Sequence, residues 1–381
     1  MRDFIAGANF SGRSAALMRR LRERLSFFVG PYAEGALSGL SSTVKDEIAI
    51  YRAPAPVHAE FAPLDFAAFA ARKPPTLSGG EQVLLALHCF SRSDYPAIGV
   101  DTALEQLDPE HRAAALELLS RGGFEAVLVD NRIDRLEGWS CALLRRAGVA
   151  FPCDLAAATA NLTPRTAPSI AISGLSFRYP AGREIFRGFD LTLAPGVHRL
   201  VGANGAGKTT LFRLLTGVLA PSSGTVSLDG APYAPWHTGN RIFALAAQNP
   251  DHQWCGATLR EDLSRRRRAL ARFSEIAFPA DATLASLAAR LGVTSLDQHL
   301  YELPLVARKR ASWLWPLAGA LPWIMLDEPT IGQDRTMRAA LAGAISRLAA
   351  LGYGVLFITH DDEFSAALPH RAIRLDRTQP A

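Results

Sequence analysis

Gly202-Ala-Asn-Gly-Ala-Gly207-Lys208-Thr209 is the stretch on which the fold turns. It matches the pattern G-x-x-x-x-G-K-[ST]. It lies between an apolar, strand-like His198-Arg-Leu-Val201 and a helical Leu211-Phe-Arg-Leu-Leu215, the strand–loop–helix setting that the pattern requires. Glycines let such a loop turn successive backbone N–H groups toward one point at a helix N-terminus, which favours phosphate anions. Gly202, Asn204, Gly205, Gly207, Lys208, Thr209 and Thr210 are the candidate phosphate-binding residues.

Working outward, the frame recurs. Gly7-Ala-Asn-Phe-Ser-Gly12-Arg13-Ser14 has the same spacing, with arginine for lysine, again between apolar residues (Phe4-Ile5) and a helical run. Pro322-Trp-Ile-Met-Leu-Asp327-Glu328 is an apolar strand ending in two carboxylates, with Asp334 beyond it. Its counterpart, at an offset of 226, is Pro96-Ala-Ile-Gly-Val-Asp101-Thr102 with Asp108. The same offset carries Leu77-Ser78-Gly79-Gly80-Glu81-Gln82 onto Leu303-Pro304-Leu305-Val306-Ala307-Arg308, and Phe124 to Asn131 answers Tyr353 to His360. The chain is two copies of one unit.

The copies are unequal. From the first loop glycine to the strand-end aspartate there are 125 residues in the second half (202 to 327) and 94 in the first (7 to 101). Of the 31 missing, 20 precede the Thr-Val and Thr-Leu landmarks at Thr43 and Thr258. In the second half that stretch holds Ser223-Gly-Thr-Val-Ser-Leu-Asp-Gly230, a strand and turn. Ile170 to Val197 adds strands around a turn near Pro180-Ala-Gly. The expectation is an α/β fold of two P-loop cassettes with mostly parallel sheets and helical subdomains, and an antiparallel β-subdomain only in the second. Residues 1–158 form the truncated cassette, 159–168 an Ala/Thr/Pro-rich linker, and 169–381 the intact cassette.

Composition sets outer bounds. A length of 381 residues fits two or three domains, and 49% hydrophobic with 20% charged residues argues against wholesale disorder. The net charge of +5 is too small to indicate nucleic-acid binding, and the run Arg265 to Arg268 reads as a solvated helix face. Cys89, Cys141, Cys153 and Cys255 make no metal-ligand spacing, which fits a reduced compartment. Arg2, Asp3 and Arg13 interrupt any signal-peptide core. The longest uncharged stretch, Ala311 to Leu326, is sixteen residues broken by Pro316 and Pro322. That is too short for a membrane span and reads as a buried helix running into a strand.

P-loop, glutamine loop (Gln248), Leu-Ser-Gly-Gly signature, Asp-Glu pair and switch histidine follow one another in an order that resembles the ATP-binding cassette (ABC) ATPases over nearly the whole chain. The resemblance implies ATP and Mg²⁺ as ligands, with Lys208 at the β/γ-phosphates, and Thr209, Asp327 and Gln248 at the metal. Glu328 becomes the general base or water-positioning carboxylate, and His360 the γ-phosphate sensor. Tyr179, in Phe177-Arg-Tyr179-Pro, sits where the family stacks an aromatic ring on adenine. Ser78, Gly79 and Gly80 become the trans signature. In ABC dimers each ATP lies between one P-loop and the other cassette's signature, so the substitutions sort by site. One site has every element: Lys208, Asp327, Glu328, Gln248, His360 and Ser78-Gly79-Gly80. The other has Arg13, Thr102, Asn131, Ala33 near the glutamine position and a Pro304-Leu-Val signature, keeping only Asp101.

Gln248-Asn-Pro-Asp-His-Gln253 through Thr258-Leu-Arg-Glu-Asp262 resembles the glutamine-loop segment of energy-coupling-factor and cobalt/nickel-type importer ATPases, and Thr43-Val-Lys-Asp-Glu47 echoes it. The reading is the ATP-hydrolysing motor of a membrane transporter, peripheral at the cytoplasmic face. Its spanning subunits are separate chains, it has no nucleic-acid partner, and its cassettes pair within one chain. Rivals are an exporter ATPase of the same fold, a soluble ABC factor of translation or DNA maintenance, and a regulatory module with little turnover. The near-uncharged segment 156–165 lacks the charged arm of soluble translation factors, no coiled-coil insertion occurs, and Glu328 with His360 argues for turnover. Twenty-one residues follow His360, which is little room for an added domain.

Overall fold

A computed structural model describes residues 2–7, 13–21, 25–51, 58, 61–121, 123–133, 136–144, 154–159, 162–180, 184–273, 276 and 278–375. Residues 8–12 of the first glycine loop, Cys153, and Ala181 and Gly182 of the expected turn lie outside this set. The chain divides into 1–149 with 331–334, and 150–330 with 335–381.

The first unit runs β1 (Arg2–Gly7), α1 (Arg13–Leu21), β2 (Ser26–Val29), α2 (Val44–Ile50), α3 (Gly79–Ser91), β3 (Ala97–Asp101), α4 (Pro109–Arg121), β4 (Glu125–Val129) and β5 (Ser140–Leu144). Its sheet is five-stranded and parallel, in the order β2-β3-β4-β1-β5. β3 is buried along its whole length, the continuous apolar run of a parallel strand covered on both faces.

The second unit opens with the short α5 (Leu155–Ala158), then β6 (Ile170–Arg178), β7 (Glu184–Leu193), β8 (Val197–Val201), α6 (Lys208–Leu215), β9 (Ser223–Leu228), β10 (Ala231–Pro232), α7 (Pro235–Thr238) and β11 (Phe243–Ala246). The helices α8 (Leu259–Leu270), α9 (Asp281–Arg290), α10 (Leu305–Ala311) and α11 (Leu314–Leu317) follow. β12 (Trp323–Asp327), α12 (Arg335–Ala350), β13 (Gly354–Ile358), α13 (Asp362–Ala366) and β14 (Arg371–Arg374) complete it. Its parallel sheet has the order β11-β12-β13-β8-β14, which is the first unit's order element for element. The registers agree as well. Leu326 pairs with Phe357 as Val100 pairs with Leu128, and Val355 with Val197 as Ala126 with Arg2. A separate antiparallel sheet, β10-β9-β6-β7, occurs in this unit and, among the described residues, has no counterpart in the first. The two-cassette reading and the single antiparallel subdomain are thus both present.

The boundary differs from the expected one. α5, expected to close the first cassette, packs on α9 and α12 of the second unit. The described part of the expected linker is also held there. Arg165 N donates to Leu351 O at 2.8 Å, Ala167 N to Gly352 O at 3.0 Å, and the Tyr353 hydroxyl to Thr163 O at 3.1 Å. Backbone hydrogen bonds of this kind are invisible to composition, which saw only Ala, Thr and Pro. The Ala311–Leu326 stretch is the end of α10, α11 and most of β12, nearly all buried. Among the described residues no helix is long and apolar enough to cross a membrane. The arginine run is only partly a solvated face, since Arg266 is held by Asp262 at 2.6 Å and Arg267 by Asp281 at 2.9 Å.

Candidate nucleotide site

In the second unit the glycine loop joins β8 to α6. Gly205 and Gly207 have φ of 75° and 98°, a left-handed geometry natural to glycine. A Cβ on Gly202 would come within 2.5 Å of the Leu375 carbonyl oxygen, so no side chain fits there. Lys208 Nζ folds back to donate to Gly202 O at 2.7 Å and Ala203 O at 3.2 Å. Thr209 Oγ1 donates to Asp327 Oδ2 at 2.8 Å. This bond joins the start of α6 to the end of β12. The two hard oxygen donors so brought together suit Mg²⁺. Tyr179 is half-buried at the end of β6, its hydroxyl 3.2 Å from Thr210 Oγ1. That places the ring beside the first turn of α6.

β12 continues into Glu328, a buried residue at φ 44°. Its N–H donates to Ile358 O at 3.0 Å, which fixes the turn against β13. Its Oε1 is 3.5 Å from His360 Nε2, and its Oε2 accepts from His360 N at 3.3 Å. The histidine loop is braced from behind: Arg338 pairs with buried Asp361 at 2.8 Å, and Arg199 donates to Thr359 O at 3.0 Å. Gln248 lies two residues beyond β11. Its carbonyl, with those of Ala247 and Asp327, accepts from the buried Lys309 ammonium at 2.7, 2.8 and 3.2 Å. Burial raises the Asp327 carboxyl, and neighbouring Glu328 adds to that, while burial lowers the Lys309 ammonium against the pull of both carboxylates. The structure therefore brings Lys208, Thr209, Asp327, Glu328, His360 and the Gln248 backbone into one neighbourhood.

The first unit preserves this frame without its chemistry. Thr102 takes the place of Glu328 at φ 55°, and its N–H donates to Val129 O at 2.7 Å. Arg13, at the start of α1, donates to Asn131 Oδ1 at 2.6 Å, so the lysine and histidine replacements are bonded to each other. The Asn131 backbone and side-chain amides both donate to Glu105 Oε1 at 2.9 Å. Desolvation, then Asp130, raises the fully buried Glu105 carboxyl to about 7. The glutamine position needs a correction. Val29 pairs with Val100 as Ala246 pairs with Leu326, so the residue two beyond the strand is Pro31 and not Ala33. The error arose from carrying one spacing across segments of different length.

The two signature segments start their helices differently. Ser78 caps α3 through a reciprocal box: its Oγ accepts from Glu81 N, and Glu81 Oε2 accepts from Ser78 N at 2.7 Å. Gly79 and Gly80 form the first turn of that thirteen-residue helix. In the second unit Pro304 precedes α10 with no side-chain cap, and Leu305 and Val306 follow. Sequence reasoning missed Lys309, Glu105, and Gln253, whose Oε1 accepts from Ala247 N at 2.7 Å. Lys309 lies in the basic run Arg308-Lys309-Arg310 of α10, and nothing in the sequence singles it out from its neighbours.

A glycine-loop cradle at a helix N-terminus, with a strand-end carboxylate pair and a histidine behind it, defines a P-loop ATPase. The chain belongs to the ABC transporter ATP-binding proteins. The ABC transporter family model matches residues 186–331. An ABC transporter ATP-binding protein of Streptomyces avermitilis is 33% identical over 222 residues, covering 55% of this chain and 79% of the relative. The Bacillus subtilis protein that carries the name HMP/thiamine import ATP-binding protein YkoD is 25% identical over 360 residues, covering 80% of this chain and 64% of its own length. Among solved structures, RNase-L Inhibitor matches 98% of this chain and 83% of its own, with a TM-score of 0.55 and 18% identity. A model of ribosome-bound archaeal Pelota and ABCE1 matches 98% of this chain and 72% of its own, with a TM-score of 0.63 and 16% identity. At these identities the likeness is one of fold.

Proposed function

We propose that this chain is the ATP-hydrolysing motor of an importer-type membrane transporter. It would work through one complete composite site, made from the P-loop of the second half and the signature of the first. The observation that carries the reading is the Thr209–Asp327 bond beside the Glu328–His360 pair, set against Arg13 bonded to Asn131 in the other copy. In the complete site the loop N–H groups and Lys208 bind the phosphates, Lys208 exchanging its two loop carbonyls for phosphate oxygens. Thr209 and Asp327, with Gln248 nearby, would hold Mg²⁺, which neutralises charge on the β- and γ-phosphates. Glu328 orients the attacking water and takes its proton, a contribution of ~10²–10⁴ in rate. His360 holds Glu328 in place and donates toward the γ-phosphate. Ser78, Gly79 and Gly80 supply a hydroxyl and a helix N-terminus to the same phosphate from the opposite side.

The importer assignment rests on the glutamine-loop segment 248–262 and on the import function in the name of the Bacillus subtilis relative. Separate membrane-spanning subunits at the cytoplasmic face follow from it. Two measurements test the reading. Glu328→Gln should retain ATP binding and lose turnover. The chain should also co-purify with membrane subunits from detergent-solubilised membranes. Turnover that survives Glu328→Gln, or a chain found wholly free of membranes, overturns it.

A further inference from the structure

We propose that Lys309 is a positioning residue that clamps the metal-side wall of the nucleotide site from the helix following the Pro304-Leu-Val segment. Its side chain is buried to 1% exposure in α10. Its ammonium has three protons, and three main-chain carbonyls receive them: Ala247, Gln248 and Asp327, at 2.8, 2.7 and 3.2 Å. One cation thus ties together the ends of two neighbouring strands, β11 and β12. These are the strands that present Gln248 and the Asp327-Glu328 pair.

The peptide unit between Asp327 and Glu328 shows what the clamp does. Its C=O accepts from Lys309, and its N–H donates to Ile358 O at 3.0 Å. Both polar groups of that peptide are pinned, one from each side. Glu328 occupies the left-handed region at φ 44°, a strained conformation for a non-glycine residue that persists only where its surroundings hold it. Rotating this one peptide would swing Glu328 relative to Asp327.

The first unit provides an internal control. At the matching position stands Val83, fully buried and without a donor. There the Thr102 N–H still reaches Val129 O, and the Asp101 carbonyl accepts from the Thr102 hydroxyl at 2.8 Å, so that peptide is held by the turn residue's own side chain and not from a neighbouring helix. Glu328 has no hydroxyl to close on its own turn, and the lysine supplies that pin from α10 while also tying in the end of β11. It appears in the copy where two strand-end carboxylates need a fixed separation. Burying an ammonium is costly unless its donors are satisfied and charges of opposite sign lie near. Here all three donors are used, and Asp327 and Glu328 supply the charge.

The inference rests on the assignment of Lys208, Thr209, Asp327 and Glu328 as the hydrolysing site. The test is Lys309→Met, which keeps length and removes the donors, in the full chain with Lys208→Ala and Glu328→Gln alongside. ATP affinity is measured by equilibrium binding with EDTA and then with excess Mg²⁺, and phosphate release is followed separately. Loss of an outer partner of a metal ligand typically weakens metal binding or activity by about 10–100-fold. The metal-dependent gain in ATP affinity should shrink by that order, with EDTA affinity within about threefold of wild type. Lys309→Gln, which can still donate to one or two carbonyls, should recover part of the gain. It also replaces the methionine variant if that one does not fold. An unchanged metal-dependent gain in a folded variant overturns the clamp. So does an equal loss of affinity with and without Mg²⁺, since a purely structural lesion predicts that. If Lys208→Ala and Glu328→Gln also hydrolyse normally, the site assignment has failed, and the fault lies there.

Discussion

Replacing Lys208 and Arg13 by alanine, one at a time, separates the two copies. Lys208 now donates to two neutral carbonyls of its own loop, at 2.7 and 3.2 Å. Exchanging them for phosphate oxygens puts an opposite charge on each acceptor. Two bonds to charged groups at about 1.5–3 kcal/mol each give ~3–6 kcal/mol. At ~1.4 kcal/mol per factor of ten, Lys208→Ala should lower kcat/KM by ~10²–10⁴. Arg13 makes its bond to Asn131 Oδ1 within its own unit, and burial lowers its guanidinium against the pull of Glu105 and Asp101. Arg13→Ala should therefore weaken the first unit by about 1–3 kcal/mol and leave kcat/KM within about threefold, a difference below ~0.7 kcal/mol. The assay is steady-state phosphate release over a range of ATP, at a temperature where thermal melts show both variants fully folded. Equal inactivation by the two substitutions would refute the one-site reasoning.

Ser78→Arg removes a capping box, costing roughly 1 kcal/mol of stability, and sets a cation at a helix N-terminus. Phosphate release should drop more than about tenfold, whereas Pro304→Arg, at an uncapped helix start, should stay within about twofold; similar losses would dismiss the trans signature. Glu105 titrates near 7 in the fold against a usual 4.5, so the folded state holds the extra proton and stability falls as pH rises between those values. Glu105→Gln should flatten that part of the stability–pH curve in denaturant melts, and an unchanged slope would contradict it. Mixing Lys208→Ala chains with Ser78→Arg chains should give no recovery of ATPase if pairing is within one chain, whereas exchange of halves between chains would restore it.

Much of this is legible in the sequence. Glycine loops, the Asp-Glu pair and the strand repeats carry fixed spacing, so Lys208, Thr209, Asp327, Glu328 and His360 could be named from the sequence and lie in one neighbourhood. Lys309 and Glu105 were not legible, because their partners are main-chain groups or residues distant in sequence. No local pattern marks which carbonyls a side chain will reach. The domain boundary failed for a related reason: tertiary backbone bonds, such as Arg165 to Leu351, and not composition, decide which unit a coil segment joins. The shift from Ala33 to Pro31 shows that a repeat offset is valid only between anchors, since insertions change it from one strand to the next.

The two signatures also bear on why glycines stand at 79 and 80. Both residues lie in the regular first turn of α3, and neither is among the glycines with positive φ. The backbone there therefore does not require glycine. Each costs a helix about 1 kcal/mol relative to alanine. The second unit shows that side chains are tolerated at this position, because α10 carries Leu305 and Val306 in the matching first turn and forms its helix. The capping box accounts for Ser78 and Glu81 through helix stability alone, but helix stability argues against the two glycines that follow. What remains is close approach: a bare first turn leaves helix-terminal N–H groups open to a ligand of high negative charge, as a phosphate requires. In the unit whose own lysine, glutamate and histidine positions are Arg13, Thr102 and Asn131, such an opening has no use for that unit's own nucleotide. Under the composite-site proposal it serves a phosphate bound by the other P-loop. Alanine at 79, the less buried of the two, should therefore make α3 more stable and ATP hydrolysis slower, a combination that a purely structural role for this glycine cannot produce.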